Sequence, residues 1–571
     1  MRNRLSPLFL VVILLLPLAC AAGQEPMTDA GPDVTDDVTR ECLVPADCED
    51  DNPCTNDFCT TDGVCENLAN ANPCDDGDPC TGDTVCAGRA CRGAERCCAD
   101  GLDNDGDGQA DCADADCGLD PACAGECPVV DAPAPVPLSP LAGEATPGAY
   151  ESTGLDGFTD DYILNQAGAL KLGVRREWGG SVVFFGMADG APGMNSTNTI
   201  DANDTGREVQ VAFYDPDRIM QGCAHDASCR TTPTSCPNSI TYLGWNPVQG
   251  GNRCNHGSGV EAVDFTDGVL TVTVNPLHWN PNWDRADCVS DACDDPGLSW
   301  RRSDVRVTLA LRFVRYHVVE LDTTIVNLGD LDHAETAHEL PTVYTANGNG
   351  GPDLWRLFTS DGVEVPIDVP ANDGFYYREF SSPGGWVTLQ NDLLTYGVGL
   401  YYENSLTGFQ GWQNRSLPFN NFRAIFPFAI PAHGTVRARS YLVIGAQGTV
   451  ASEAAALDAG LAPFGVLDAP APDAAVTGDT LAIHGWALDN RGVVTIEAIL
   501  DGGAPVALTA GQPRPDVCAV WPGYPACPAV GYTGTLDLTP HSYCHHLLEI
   551  RATDADGNAR VIARRRFSRA P

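Results

Sequence analysis

The chain runs to 571 residues, enough at roughly 150 per domain for about three to five domains. Its 77 acidic and 33 basic side chains leave a formal charge of −44, while a 43% apolar fraction still supports buried cores. These values exclude a wholly disordered chain. They also exclude a nucleic-acid binder that neutralises phosphates, because there is no basic field and Lys171 is the sole lysine.

Acid and cysteine are concentrated together. Residues 21–127 hold 27 acidic and 4 basic side chains, and 15 of the 25 cysteines. That combination points to an oxidising compartment, to disulfides in place of a core, and to a cation as the natural partner.

Residues 1–20, MRNRLSPLFLVVILLLPLAC, have two arginines, a short apolar run and small residues at the end, the pattern of a secretory signal. Leu18-Ala19-Cys20 resembles the end of a bacterial lipobox, which implies lipidation of Cys20 and a membrane anchor, although Pro17 stands where that pattern prefers leucine. Ala19 and Ala21 offer an A-x-A site and soluble export instead. No later segment approaches the ~20 apolar residues of a membrane span. The expectation is an exported bacterial protein, outer-membrane-anchored or extracellular, with an acidic linker over 21–41.

Residues 42–127 read as a cysteine-rich stalk. Within it, 48–65 (CEDDNPCTNDFCTTDGVC) and 74–91 (CDDGDPCTGDTVCAGRAC) are two copies of one pattern at a period of 26. Almost no apolar content remains to bury, so each copy is a stapled, loop-rich unit whose connectivity the spacing leaves open. Zinc is disfavoured, because no C-x2-C spacing and no histidine occurs there. The pattern resembles cysteine-rich repeats of bacterial surface proteins, which implies a spacer.

Next come Asp103, Asp105, Asp107, Asp111 and Asp114 at loop positions 1, 3, 5, 9 and 12, with Gly108 at 6 and the Gln109 carbonyl at 7. Oxygen ligands at this spacing suit a seven-coordinate calcium ion, and a solvated acidic loop is the bland alternative. The loop resembles EF-hand loops and, more closely, the calcium repeats of thrombospondin type 3 and dockerin modules. Asp114 replaces the bidentate glutamate of sensor loops, and Cys112 and Cys117 are expected to cross-link the turn, so the expectation is a constitutive structural calcium site. Six prolines over 128–147 then predict a semi-rigid extended spacer.

From 148 to 465 the pattern is short β-branched or alternating runs between turn residues. Strands are expected at 169–174, 181–185, 209–214, 269–274, 305–313, 317–326, 396–401 and 435–444, with no long amphipathic helix among them. About 315 residues of strand without a 40-to-50-residue repeat argue against a propeller and for a large two-sheet super-sandwich. Cysteines 223, 229, 236, 254, 288 and 293 are expected to form three disulfides in polar insertions.

Several segments are more polar and aromatic than a core requires: Asp204, Arg207, Glu208 and Gln210; Trp245, Asn246 and Gln249; His278 and Trp279; His338, Glu339 and Tyr344; Gln410 and Trp412. Indole faces stack on sugar rings, and amide, guanidinium and carboxylate groups bond hydroxyls, so the combination points to a glycan site. Taken singly, each tryptophan reads as core, and Arg207 with Glu208 reads equally as an ion pair at a strand end.

The run Leu172-Gly-Val-Arg-Arg-Glu-Trp178-Gly-Gly-Ser-Val, the segment Asp204-Thr-Gly-Arg-Glu-Val-Gln210, and Phe428-Ala-Ile-Pro-Ala-His-Gly-Thr-Val-Arg-Ala-Arg-Ser-Tyr441-Leu-Val resemble galactose-mutarotase-like super-sandwich domains over about 300 residues. That family includes aldose epimerases and domains of glycoside hydrolases and polysaccharide lyases. Its epimerases pair a carboxylate with histidine for proton transfer, which makes Glu208, His278, His338 and Glu339 the catalytic candidates here. His338 and Glu339 are neighbours on one strand and so face opposite ways. A zinc site from His333, Glu335, His338 and Glu339 lacks the H-E-x-x-H spacing, and Pro341 argues against the helix it would need. No G-x-S-x-G elbow or phosphate-binding glycine loop occurs.

Residues 468–571 alternate as a third domain, with strands expected at 481–486, 494–500, 533–538, 547–552 and 560–567. Ile483-His-Gly-Trp486-Ala-Leu-Asp489, Asp501-Gly502 and Arg514-Pro-Asp-Val517 resemble bacterial immunoglobulin-like modules. Cys518 and Cys527 are expected to pair, leaving Cys544 unassigned. Cys544-His545-His546 reads as strand packing, since alternate residues face opposite ways.

The fold expected is thus mainly β and multidomain: a disulfide-rich N-terminal stalk, a large β super-sandwich and a C-terminal immunoglobulin-like β-sandwich. The function expected is carbohydrate recognition on an exported surface protein, with no nucleic-acid partner. An epimerase, glycosidase or lyase on the same domain is the alternative, and a purely structural adhesin or surface-layer protein the third reading.

Overall fold

The computed structural model describes residues 42–60, 62–114, 116–123, 130–141, 148–155, 157–189, 197–202, 206–215, 243–250, 254, 256–278, 296–347, 352–367, 375–414 and 419–570. Residues 1–41, which hold the expected export signal, Cys20 and the acidic linker, together with Asp204, Trp279 and cysteines 223, 229, 236, 288 and 293, lie outside the described residues. The protein is mainly β and multidomain. Two compact units divide the chain, one formed by residues up to Cys97 with Leu102–Ala110, the other by Cys98–Gly101 with Asp111–Pro571.

In the first unit each repeat is an antiparallel hairpin, Thr55–Cys59 with Cys65–Ala69 and Thr81–Ala87 with Ala90–Glu95. Cys48–Cys65 and Cys74–Cys91 close the two repeats in the same way, and Cys54–Cys86 ties one repeat to the other. Cys42–Cys59 and Cys80–Cys97 complete the unit. Phe58, Val64, Leu68 and Val85 stay about half exposed, so covalent bonds rather than burial define these hairpins.

The second unit opens on Cys98–Cys117 and Cys112–Cys123. Cys112 and Cys117 therefore do not join each other across the acidic turn; each reaches a cysteine outside it. Residues 130–141 of the proline-rich segment, expected as a semi-rigid extended spacer, contain no helix or strand, and their carbonyls are held by arginines of both sandwiches: Val130 by Arg566 (2.6 Å), Pro137 by Arg560 (2.7 Å) and Leu138 by Arg439 (3.0 Å). Leu141 is buried.

The super-sandwich packs an 11-stranded sheet on a 9-stranded one. The main path of the first runs Phe375–Ser381, Gly408–Asn414, Phe419–Ala424, His333–Thr345, Val209–Asp215, Ser181–Met187, Leu170–Arg175, Phe158–Leu164, Tyr150–Leu155. Alternation along these strands sends Val209, Phe213, Val343, Phe409 and Phe422 into the core, where they meet Val272, Val307, Leu321 and Leu442 of the second sheet. The Trp178-Gly-Gly motif is the turn into Ser181–Met187. Gly179 and Gly180 have φ of 62° and 77°, and a Cβ would approach Pro247 to 2.4 Å and Val272 to 2.5 Å, so only glycine fits.

One helix, Gln447–Gly460, was not foreseen from the pattern. Its Val450, Ala454 and Leu457 cover Val318, Tyr441 and Val443 on the outer face of the 9-stranded sheet. Small alanines make its stripe too weak to stand out in sequence. The C-terminal sandwich then begins at Phe464, inside the expected central domain, because Phe464–Ala469 pairs with Thr480–Leu488. A 4-stranded and a 5-stranded sheet enclose Leu481, Ile483, Ile550 and Phe567, and Cys518–Cys527 forms as expected. Cys544 and Cys254 are disulfide-bonded too.

The two sandwiches share a buried junction. The Glu403 carboxylate takes hydrogen bonds from Arg439 Nη1 (2.6 Å), Tyr524 Oη (2.6 Å) and Tyr441 Oη (2.8 Å). The Arg439 guanidinium lies 4.3 Å from the Phe464 ring centroid. Burial raises the Glu403 pKa despite Arg439 beside it.

Candidate functional site

Residues that alternate with the core positions of the 11-stranded sheet form its outer face. Cross-strand register aligns them in two rows. In the first, Gln210 faces Thr342, Thr342 faces Arg423, Arg423 faces Gln410 and Gln410 faces Glu379. In the second, Tyr344 faces Asn421, Asn421 faces Trp412 and Trp412 faces Tyr377. Directly opposed residues bring their side chains within contact distance, so five strands drawn from between Val209 and Ala424 assemble one polar and aromatic surface.

Its bonds run continuously across the strands. Arg423 pairs with Glu339, which also accepts from Tyr214 Oη at 2.7 Å. Arg423 Nε donates to Gln410 Oε1 at 2.7 Å, and Gln410 Nε2 donates to Glu379 Oε1 at 3.0 Å and Tyr377 Oη at 2.9 Å. Tyr377 Oη also donates to Glu379. The Tyr377 and Trp412 rings lie 4.8 Å apart, tilted by 59°, with Tyr377 38% exposed.

The electrostatics follow from this arrangement. Burial and the Glu339 charge hold the phenols of Tyr214 and Tyr344 well above their ordinary pKa. Tyr377 is pushed up to about 12, by burial first and then by its bond to Glu379. Burial opposes the charge of Arg423, but Glu339 with Tyr214 and Tyr344 together outweigh it and the pKa is raised. The phenols are therefore donors at neutral pH, and the central guanidinium and carboxylate neutralise each other.

Gln210, Glu339, Tyr344, Gln410 and Trp412 are the residues singled out from sequence that this face brings together. Glu208, fully buried, accepts from the Gly206 N–H at 3.1 Å, and Gln210 Nε2 donates to the Gly206 carbonyl at 3.3 Å. Asn246 and Gln249 share one turn, and the Gln249 amide packs on Gly206. These four thus form a buried cluster at the start of the Val209–Asp215 strand, with half-buried Arg207 beside it. Trp245 pairs with Phe213 in register, and its side chain lies outside the described residues.

The histidine candidates fall elsewhere. His338 lies on the core side of its strand: Nδ1 accepts from the Tyr214 N–H and Nε2 donates to the Phe428 carbonyl, both at 3.1 Å, between the rings of Phe213 and Phe428. This is the pattern of a neutral core histidine, so the expected pairing of His338 with a carboxylate gives way to packing. His333 bonds Asp304 at 3.1 Å. His278 is buried in a loop, its N–H donating to the Arg301 carbonyl. No position in the two rows is a histidine. Arg423, Asn421, Tyr377 and Glu379 escaped the sequence reading, because Phe419–Ala424 and Phe375–Ser381 alternate without a continuous apolar stripe.

The acidic loop is a separate candidate. The carboxylates of Asp103, Asp105 and Asp107 lie within 4.8 Å of one another. Backbone N–H groups orient them: Gly106 and Gly108 donate to Asp103, Asp107 to Asp105 and Gln109 to Asp107. An all-oxygen set of this kind fits calcium. Asp111 accepts from the Asp100 and Gly101 amides, and buried Asp114 accepts from the Asp116 N–H.

No protein-family model and no curated protein sequence matches the chain. Among solved structures, a putative aldose 1-epimerase from Escherichia coli K12 is 11% identical, aligned over 49% of this chain and 97% of its own, with a TM-score of 0.29. A putative aldose 1-epimerase from Klebsiella pneumoniae is 9% identical over 53% and 85%, TM-score 0.30. An aldose epimerase homologue from C. elegans is 6% identical over 52% and 99%, TM-score 0.26. Similarity at this level leaves function to be read from the chain's own residues.

Proposed function

We propose that the outer face of the 11-stranded sheet binds a neutral, hydroxyl-rich glycan. The observation that carries this reading is the Glu339–Arg423–Gln410–Glu379 network, in which Arg423 offsets Glu339 and the exposed Glu379 adds one negative charge, beside the partly exposed Tyr377–Trp412 pair. The aromatic pair offers a stacking surface and the network offers fixed donors and acceptors, the division of labour of a small-molecule site. Binding is favoured over proton-transfer chemistry, because the phenols stay protonated, Glu339 is held by Arg423, and His338 points into the core.

A glycan array followed by product analysis on each retained glycan tests this. Retention without turnover is the expected result. A product would establish an enzyme on this face, and retention of nothing would favour the structural adhesin.

The disulfides fit an oxidising, extracytoplasmic setting, and no helix among the described residues is long and apolar enough to cross a membrane. We infer that the chain is exported through residues 1–20, with Cys20 as the lipid attachment point, and that Asp103, Asp105 and Asp107 hold calcium. Calorimetry of the intact chain should show calcium heat at millimolar concentration or below, and its absence would remove the ion.

A further inference from the structure

We propose that Asp501, His541 and His546 form a zinc site on the C-terminal sandwich. Their ligand atoms lie within 4.8 Å of one another, although the residues come from two separate turns. Asp501 sits in the turn after Val493–Leu500, with φ of 50°. His541 precedes, and His546 lies within, the strand His545–Asp554.

The donor atoms are preorganised by the backbone around them. Asp501 Oδ1 is fixed by the Leu547 N–H at 2.8 Å, which leaves Oδ2 turned toward His546 Nδ1, 2.7 Å away. The other ring nitrogen of His546, Nε2, is 2.8 Å from the Ser542 carbonyl. A ligating histidine characteristically donates its second N–H to a carbonyl, which sets the tautomer and turns the free nitrogen to the metal. His546 is buried, so its ring cannot swing away.

His541 supplies the third ligand. Its N–H donates to the Leu538 carbonyl at 3.0 Å, its own carbonyl accepts from Arg569, and its ring stands edge-on to His546 with centroids 5.7 Å apart. An ion pair between Asp501 and His546 needs no second imidazole there. Tetrahedral zinc at about 2.0–2.1 Å from each ligand spaces its donors about 3.3 Å apart, so the metal enters by displacing the proton between His546 Nδ1 and Asp501 Oδ2 and drawing His541 inward. Two nitrogens and one oxygen suit zinc, with water in the fourth position.

The ion would staple the Asp501 turn to the loop that ends at His545. That loop also holds the Asp116–Leu119 segment, through the Tyr543 N–H on the Gly118 carbonyl at 3.0 Å, and carries disulfide-bonded Cys544. Zinc would thereby fix the contact between the Asp116–Leu119 segment and the C-terminal sandwich, both within the second unit.

The intact chain, stripped with chelator and kept in calcium, is titrated with zinc and separately with cobalt(II). One zinc should bind with release of protons, cobalt should give the visible bands of a four-coordinate N/O site, and His541→Gln should weaken both about tenfold or more. No saturable zinc binding up to on the order of 100 µM would reduce the cluster to an ion pair. Equal binding by His541→Gln and Asp501→Asn would place the metal elsewhere and overturn the proposal. Should the variants fold poorly, hydrogen exchange on the wild-type chain decides: zinc must protect 538–546, and unchanged exchange there overturns the site.

Discussion

The cysteine-rich repeats and the super-sandwich reach order by opposite means. In residues 42–97, five disulfides hold two hairpins whose Phe58, Val64, Leu68 and Val85 remain about half exposed. In the super-sandwich, Val209, Phe213, Phe409, Phe422 and Leu442 are buried almost completely between two sheets. A disulfide-held unit stays ordered at high like charge because its order owes little to desolvation; a burial-held unit must confine charge to paired positions. The charged groups at the sandwich junction obey that constraint, since buried Arg439 and Glu403 meet each other and two tyrosines.

The largest expected effect that would break this contrast is reduction. Dithiothreitol should abolish hydrogen-exchange protection throughout 42–97 while the strands of the super-sandwich keep theirs. Loss of both together would mean that the repeats are not independently held. Next, Phe422→Ala should cost about 3–5 kcal/mol in urea unfolding of the sandwich, since the ring is fully buried among core residues. A value near zero would deny that burial carries this unit.

A pH experiment sharpens the same contrast. Burial, with Asp554 and Glu403 nearby, pushes Asp489 up to about 7 against an opposing hydrogen bond from the Arg491 N–H. Between the unfolded carboxyl pKa near 4 and about 7, the folded state binds the extra proton, so stability falls as pH rises through that window. The loss is about 4 kcal/mol at most, and Asp489→Asn should flatten the slope. An unchanged slope would remove Asp489 as its source. The smallest effect concerns the outer face: Trp412→Ala should weaken glycan retention about tenfold, or about 1.4 kcal/mol, with little change in thermal midpoint. A large fall in midpoint would make Trp412 a structural residue instead.

Much of the fold was legible because burial writes itself into alternation. The strands Val269–Val274 and Thr435–Ile444 match their expected bounds, and five strands of the C-terminal sandwich lie within two or three residues of theirs. Each has one face against a core, so its apolar residues recur every second position. The strands that build the candidate face were harder to see. Gly408–Asn414 and Phe419–Ala424 carry glycine, glutamine and asparagine, residues of low β propensity, and their outward positions are aromatic or polar.

The sequence by itself determined the regularly spaced aspartates of the acidic loop, the disulfide-dense start and the two β regions that follow it, because composition and local periodicity depend only on neighbours along the chain. Tertiary structure alone decided how the cysteines of the repeats pair, that residues 130–141 lie along the sandwiches, and that His338 faces inward. It also brought Arg423, Gln410 and Glu379 into one row with Glu339 paired to it, and Asp501, His541 and His546 into one cluster. Those groupings arise from sheet register and loop apposition between residues tens of positions apart, a relation that no local pattern encodes.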